Sequence, residues 1–411
     1  MKTYAKAIIS LAVATLSATS AMAQQPDELK YRRSSIYSVM INHKEQKFAD
    51  EISNAFIQMP VPDKFNDHDL SVKVLDMEKK LKGARSDDEN TAVTQFLNDN
   101  KVASRLVAKW FNRDFFTGVC NMDLVKERGL YNASHFDQVL ASRSERSKAL
   151  LEDAGEDLIG NTFVLVSDIR YVDKEKSGKI AGGILRGLGQ LAASATGMSA
   201  LEDLGNLAGS MSETLKGFRV KINTFLYKLE WNDETAQNFY LKQYTGKPDA
   251  AKRDAFDQAR GSYRLVYVGK QESSGSTTSF MGVKLDEPVQ MVRKACQRAL
   301  DENVASLQHS FEEFRTKSPL ATTEPITAYV GLKEGITPES QFEVLEMVEN
   351  EDGSREYKRV GVIEPMKNMI WDNRYMASEE GAVNSSLGCT TFRKVSGGDF
   401  FPGMLIRDIT E

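Results

Sequence analysis

Hydrophobic and polar residues alternate through SSIYSVMINH (Ser34–His43), the period of a half-buried strand. The spacing then becomes helical: Phe48, Ile52, Phe56 and Met59 share one face of KEQKFADEISNAFIQM. PVPDKFNDHD breaks that helix, and LSVKVLD reads as a second short strand. From Asp87 the pattern predicts a helix, with acidic residues in its first turn and Val93, Phe96, Leu97, Val102, Leu106 and Trp110 directed inward. FFTGVC reads as a strand. SHFDQVLASRSERSKALLEDAGEDLIG then predicts a helix capped by Ser134 and stopped by Gly155.

Strand patterns dominate the next block. TFVLVSDIRYVD (162–173) is a run with a buried half, and FRVKINTFLYKLEW (218–231) changes phase part-way. Phe218, Val220 and Ile222 share one parity, whereas Phe225, Tyr227, Leu229 and Trp231 share the other, which predicts a β-bulge near Asn223–Thr224. SYRLVYVGKQ is a third strand, and SSGSTTS reads as a turn or loop. A long amphipathic helix follows at 288–314, with Val292, Cys296, Ala299, Val304, Leu307, Phe311 and Phe314 on one stripe, expected to cover a face of the preceding sheet. RTKSPLATTEP has two prolines and no period, the pattern of a linker. Beyond it, ITAYVG, QFEVLEMV, YKRVGVIEP, MIWDNRY, TTFRKVS and GMLIRDI are short strand candidates, with ENEDGSRE as a hairpin turn between the second and third.

The expected fold is α+β and multidomain. An N-terminal α/β domain spans 24–160, and a central β-rich domain spans 161–316 with an insertion at 178–216 and the covering helix 288–314. A linker (317–324) and a small β-barrel (325–411) complete it. The rhythm of AYVGLKEGITPESQFEVLEMVENEDGSREYKRVGVIEP resembles the SH3-like barrels that end some exported bacterial envelope proteins. The whole layout is similar to periplasmic proteins that support curli secretion or flagellar ring assembly, a resemblance that implies work in binding or assembly.

The N-terminus changes the compartment expected for all of this. Lys2 and Lys6 precede the apolar AIISLAVATLSATSA, and Ala21–Ala23 offers small residues at a cleavage position before Gln24. This is the pattern of a signal peptide over 1–23, so an exported protein, periplasmic or extracellular, is expected. The formal net charge is −5. Residues 324–411 are acidic, which argues against a nucleic-acid partner. Three widely spaced cysteines, Cys120, Cys296 and Cys389, exclude a disulfide scaffold, and the Cys296 position on an apolar stripe reads as a buried thiol.

Candidate chemistry is sparse. DKFNDHDL gathers Asp63, Asp67, His68 and Asp69, ligand types that suit a divalent cation. Trp371, Tyr375, Phe392, Phe400 and Phe401 offer aromatic surface for a peptide or glycan on the barrel, with Trp371 and Tyr375 the leading candidates and core packing the alternative. The glycines at 182, 183, 187 and 189 do not follow a strand in the order a dinucleotide fingerprint needs, and Asp173 stands where a P-loop needs glycine, so no nucleotide cofactor is expected. Ile180–Leu201 is long enough to span a bilayer, but a central Arg186 costs about 2.5–3.5 kcal/mol against ~0.3–0.6 kcal/mol gained per Leu-type residue. The segment reads instead as a soluble insertion, a loop or a docking helix. Ile180, Ile184, Leu185, Leu188 and Leu191 would then meet a protein partner or a second copy, with membrane-surface contact as a further alternative.

These observations imply an exported, non-catalytic binding or assembly protein of the cell envelope. The alternatives are a secreted hydrolase with a dispersed site among His43, His68, His135, His309 and Cys120 or Cys389, or a membrane-surface protein acting through 178–216.

Overall fold

The computed structural model describes residues 32–77, 86–130, 149–172, 217–278, 288–349 and 355–410. The signal-peptide pattern, the insertion at 178–216, Ser134 and His135 lie outside these residues. The architecture is mixed α+β, with one open sheet and one strand-rich C-terminal barrel.

The open sheet is built from β1 (Ser34–Ile41), β2 (Phe65–Asp67), β3 (Val74–Leu75), β4 (Thr162–Tyr171), β5 (Gly217–Leu229) and β6 (Leu265–Thr278). Its order is β2-β1-β4-β5-β6, with β3 also pairing β1. β1 runs parallel to β2, β3 and β4, whereas β4, β5 and β6 are antiparallel neighbours. The expected boundary at 160/161 is therefore corrected: β1 and β4 are hydrogen-bonded partners over Ser35↔Thr162 to Ile41↔Asp168, so residues assigned to two domains share one sheet. Alternation along each strand reports which face is buried, not which strand lies beside it.

Helices cover both faces. On one, Tyr37, Val164 and Tyr227 form a cross-strand row, and so do Val39, Val166 and Phe225. Against these rows pack α2 (Ser86–Asp99), through Val93 and Leu97, and α3 (Val102–Trp110), through Leu106, Val107 and Trp110. The opposite face carries Met40, Ile169, Val220 and Ile222 and packs under α1 (Ala49–Ile57) and the long α8 (Pro288–Ser310). Between them in the chain lie α4 (Asp123–Gly129), α5 (Ala149–Glu156), α6 (Asp233–Lys242) and α7 (Ala250–Ala259).

This layering explains the phase change in β5. Phe218, Val220 and Ile222 face α8, whereas Phe225, Tyr227 and Leu229 face the α2–α3 layer. No bulge sits at Asn223–Thr224. The register shift falls at Leu226/Tyr227, opposite Gly269 and Tyr267, and the extra residue, Val268, belongs to β6.

SSGSTTS is not a loop, because its described part, Ser273–Thr278, pairs with Gly217–Ile222. Its small residues let α8 approach: a Cβ at Gly275 would fall 2.1 Å from the Ala295 carbonyl oxygen, and Ser273 Oγ donates to the Ala299 carbonyl at 2.8 Å. FFTGVC, expected as a strand, is a tight turn. Asp114 Oδ1 accepts from the amides of Phe116 and Thr117 and from Thr117 Oγ1, leaving Phe115 and Phe116 exposed.

The barrel closes in the order β10-β11-β8-β7-β12-β9. Its strands are β7 (Ser318–Thr323), β8 (Ile326–Ala328), β9 (Phe342–Glu349), β10 (Arg355–Pro365), β11 (Thr390–Gly397) and β12 (Leu405–Asp408). Most of the expected linker is thus β7, a strand that joins β8 to β12 and buries Leu320 in the barrel core. Alternating small and polar residues hid it. MIWDNRY forms no strand and contributes only a bridge from Trp371 to Gly331.

Candidate functional site at the helix–barrel cleft

Besides its inward stripe, α8 carries Lys294, Arg298, Asp301 and Ala305 at helical spacing (i, i+4, i+7, i+11) on another face. That polar stripe faces the barrel. Glu380 accepts from Arg298 Nη2 at 2.6 Å and pairs with Lys294, while Arg298 also donates to the Tyr375 carbonyl at 2.9 Å. The Arg293 guanidinium lies 5.6 Å from the centre of the Tyr375 ring. Burial alone would raise the Glu380 pKa, but the hydrogen bonds from Arg298 and Lys294 outweigh it and hold the carboxyl below its usual range. Helix and barrel are clamped together by this cluster.

Beside the clamp, between α8, β6 and the barrel, opens a cleft of about 560 Å³. Lys64 enters it from the turn before β2, Ser274 and Ser276 from β6, Asp301 and Glu302 from α8, and Lys333 and Glu334 from the barrel loop after β8. Glu334 is held rigidly, accepting from the Gly331 amide at 2.7 Å and from Asn373 Nδ2 at 2.8 Å. Asp301 is different: among the described residues its Oδ2 is buried without a hydrogen-bond partner. Burial pushes its pKa up to about 7; Lys333 opposes the rise, and Glu334 and Asp63 add to it. Burial also raises Glu302 and lowers the Lys64 ammonium, the latter against the attraction of Glu334 and Asp408. The cleft therefore presents an acid that titrates near neutrality, a desolvated amine and several hydroxyls. These groups can take up a ligand's donors and acceptors, or exchange protons with it.

The expected metal ligands do not converge. His68 is fully buried, with Nδ1 2.7 Å from Arg128 Nη1 and Nε2 donating to the Leu106 carbonyl at 3.0 Å. Burial, reinforced by the Arg128 charge, lowers its pKa well below the ordinary value, so the ring stays neutral. Asp67 Oδ1 caps the Asp69 amide and Asp69 Oδ1 caps the Ser71 amide, while Asp63 offers its backbone carbonyl to Arg32. Among the described residues no group of three histidine, cysteine or acidic side chains is placed to hold a metal ion, so the metal reading of Asp63, Asp67, His68 and Asp69 is corrected. Two hydrogen-bonded turns and a buried imidazole–guanidinium contact account for that motif.

Trp371 and Tyr375 are half-buried at the barrel's junction rather than on an open face. Trp371 Nε1 donates to the Ser385 carbonyl at 3.2 Å, and Tyr375 belongs to the clamp. Phe392 and Phe400 are core residues, and only Phe401 of that aromatic set is largely exposed. Ile180, Ile184, Leu185, Leu188 and Leu191 lie outside the described residues. His43 Nε2 lies 2.6 Å from Asp168 Oδ1, a carboxylate that Arg170 also grips through two hydrogen bonds, and both His43 and Asp168 are buried. Cys120, Cys296 and Cys389 are free thiols; burial pushes Cys296 up to about 12.

Sequence reasoning passed over Asp301, Glu302, Lys64 and Lys333. The one available signal, and only for Asp301, was the polar i, i+4, i+7 stripe on α8, which reads as a solvated face until the barrel packs beside it. No family model matches the sequence, and a search of curated proteins finds no match.

Proposed function

We propose that the protein is an exported, non-catalytic binding protein of the cell envelope whose ligand occupies the helix–barrel cleft. The single observation that carries this reading is Asp301: it lines a cavity large enough for a small polar molecule, and its Oδ2 is buried without a hydrogen-bond partner among the described residues. A ligand that donates to Oδ2 would satisfy it. The barrel is read as SH3-like and the whole chain as an envelope assembly factor by its sequence rhythm; the clamp between α8 and the barrel supports a role in which the two units act together. The N-terminal pattern supports export with the mature chain beginning at Gln24. A protein partner or second copy at 178–216 remains part of the proposal, as does the membrane-surface alternative.

The test is native mass spectrometry of the mature protein taken from its own cell envelope, beside an Ala305→Trp variant whose indole fills the cleft. Wild type should carry a small molecule that the variant lacks. Empty wild type, or a ligand retained by the variant, would contradict the assignment.

A second reading has one observation in its favour. A carboxyl that titrates near pH 7 and a lysine whose pKa is lowered line the same cleft, and a substrate reaching both would meet the acid and base that hydrolases use. Under that reading Asp301→Asn abolishes turnover of a bound substrate; under the binding reading the ligand leaves unchanged.

A further inference from the structure

Next to the cleft, and sharing Lys64, Arg315 and Thr316 with it, lies a smaller cavity of about 180 Å³. Four cationic side chains border it: Arg33 at the start of β1, Lys64, and Arg315 and Lys317 in the segment joining α8 to β7. Two carboxylates, Glu312 and Glu313, also line it, yet both are engaged elsewhere. Glu313 pairs with Lys228 at 2.8 Å, and Glu312, 81 % exposed, faces Arg407 at 3.8 Å.

The cations are gathered rather than dispersed. Arg33 donates to the Tyr357 hydroxyl at 3.1 Å, and the Lys317 ammonium and the Arg33 guanidinium lie 4.7 and 5.5 Å from the same Tyr357 ring. Arg315 directs its guanidinium to the carbonyls of Gln308, His309 and Asp408, neutral partners that fix its position, and it joins no ion pair among the described residues. No ion pair joins Lys64 or Lys317 to a carboxylate among the described residues. Ser34 and Asn161 add a hydroxyl and an amide to the wall. Converging cations with neutral donors between them are the recognition chemistry of a tetrahedral oxyanion.

We propose that this cavity is an oxyanion subsite, taking a phosphate or sulfate group whose organic body extends into the larger cleft. The proposal rests on reading that cleft as a ligand site. An anion in this cavity would meet Lys64, Arg315 and Lys317, none of which forms an ion pair with a carboxylate among the described residues. At the Lys317 ammonium, burial, then the charges of Arg33 and Arg407, lower the pKa to about 8, against the weaker pull of Glu343 and Glu312. An arriving anion restores the protonated form, so binding near that pH takes up protons.

Isothermal titration calorimetry of the full mature chain at constant ionic strength tests this, with inorganic phosphate, sulfate and glycerol 3-phosphate as probes. Phosphate and sulfate should each bind with a Kd at or below about 1 mM, and Lys317→Met should weaken both roughly tenfold or more. Lys317→Arg, which keeps the charge, should retain binding, and Lys64→Met provides a second charge deletion should the Lys317→Met chain fail to fold. Near pH 8, titrations in buffers of different ionisation enthalpy should show proton uptake that shrinks in Lys317→Met. Absence of phosphate binding, or binding equal in wild type, Lys317→Met and Lys64→Met, overturns the subsite. Glycerol 3-phosphate should bind about tenfold more tightly than inorganic phosphate. Equal affinities would overturn the placement of an organic body in the cleft, identify the free ion as ligand, and leave the oxyanion subsite standing.

Discussion

Replacing Asp301 by asparagine should stabilise the protein, and only where the carboxyl would be charged. In the wild type Asp301 titrates at about 7 instead of the ordinary 3.8, because burial disfavours its anion; Lys333 opposes the rise, and Glu334 and Asp63 add to it. A raised folded-state pKa contributes stability in full below the unfolded value, near 3.8, and that contribution is lost as the pH rises through about 7. The interval between the two values, at about 1.36 kcal/mol per pH unit, caps the cost of ionisation at ~4 kcal/mol. The side chain borders an open cleft, so solvent screening reduces the expected cost to ~2 kcal/mol. Asparagine keeps the shape and carries no charge. Urea unfolding followed by tryptophan fluorescence should therefore give nearly equal stabilities for wild type and Asp301→Asn near pH 4, and a variant more stable by ~2 kcal/mol near pH 8, with the m-value unchanged. A difference independent of pH, or a variant less stable at pH 8, would refute the reasoning.

Other consequences follow from the packing. Arg128→Met removes the buried guanidinium that meets His68 Nδ1, Ser35 Oγ and the Asp67 carbonyl, and should cost about 3–5 kcal/mol in chemical denaturation. Limited proteolysis should spare Ser318–Thr323, and an isolated 324–411 fragment, lacking β7, should show no cooperative unfolding in calorimetry because the barrel cannot close between β8 and β12. Glu380→Gln should speed amide exchange around Tyr375–Glu380 while changing global stability by about 1 kcal/mol or less, since the carboxylate is partly exposed. Native protein should lose Cys389 first to a thiol reagent and keep Cys296 unmodified until unfolding, as judged by mass spectrometry of the labelled chain.

The local elements were largely legible in the sequence. The strands at 34–41, 162–171 and 218–229, the helix over 49–57 and the long α8 all follow the periods that their burial imposes, whereas the single helix expected from Asp87 is two, α2 and α3, broken at Lys101, whose φ is 54°. What was not legible is pairing over distance. Nothing in SSIYSVMI announces that its neighbour begins at Thr162, so one sheet was divided into two domains. Parity changes in β5 looked like a defect of one strand, whereas they record two helical layers on opposite faces. SSGSTT and SPLATT carry too few apolar side chains to show a strand pattern; the first is a strand because a helix backbone needs room above Gly275, the second because a barrel needs a sixth strand. The same limitation concealed the cleft, whose polar residues come from segments far apart in the sequence and look solvated in each.

A crystal structure of the mature chain, grown from protein taken from its own envelope and soaked in phosphate, is the most direct examination of the cleft as a ligand site. The account predicts density contacting Asp301 Oδ2 and Lys64 in the helix–barrel cleft, continuous with or beside an oxyanion among Arg33, Arg315 and Lys317. A cleft filled by the chain's own residues 178–216, or ligand density only elsewhere on the molecule, would contradict it.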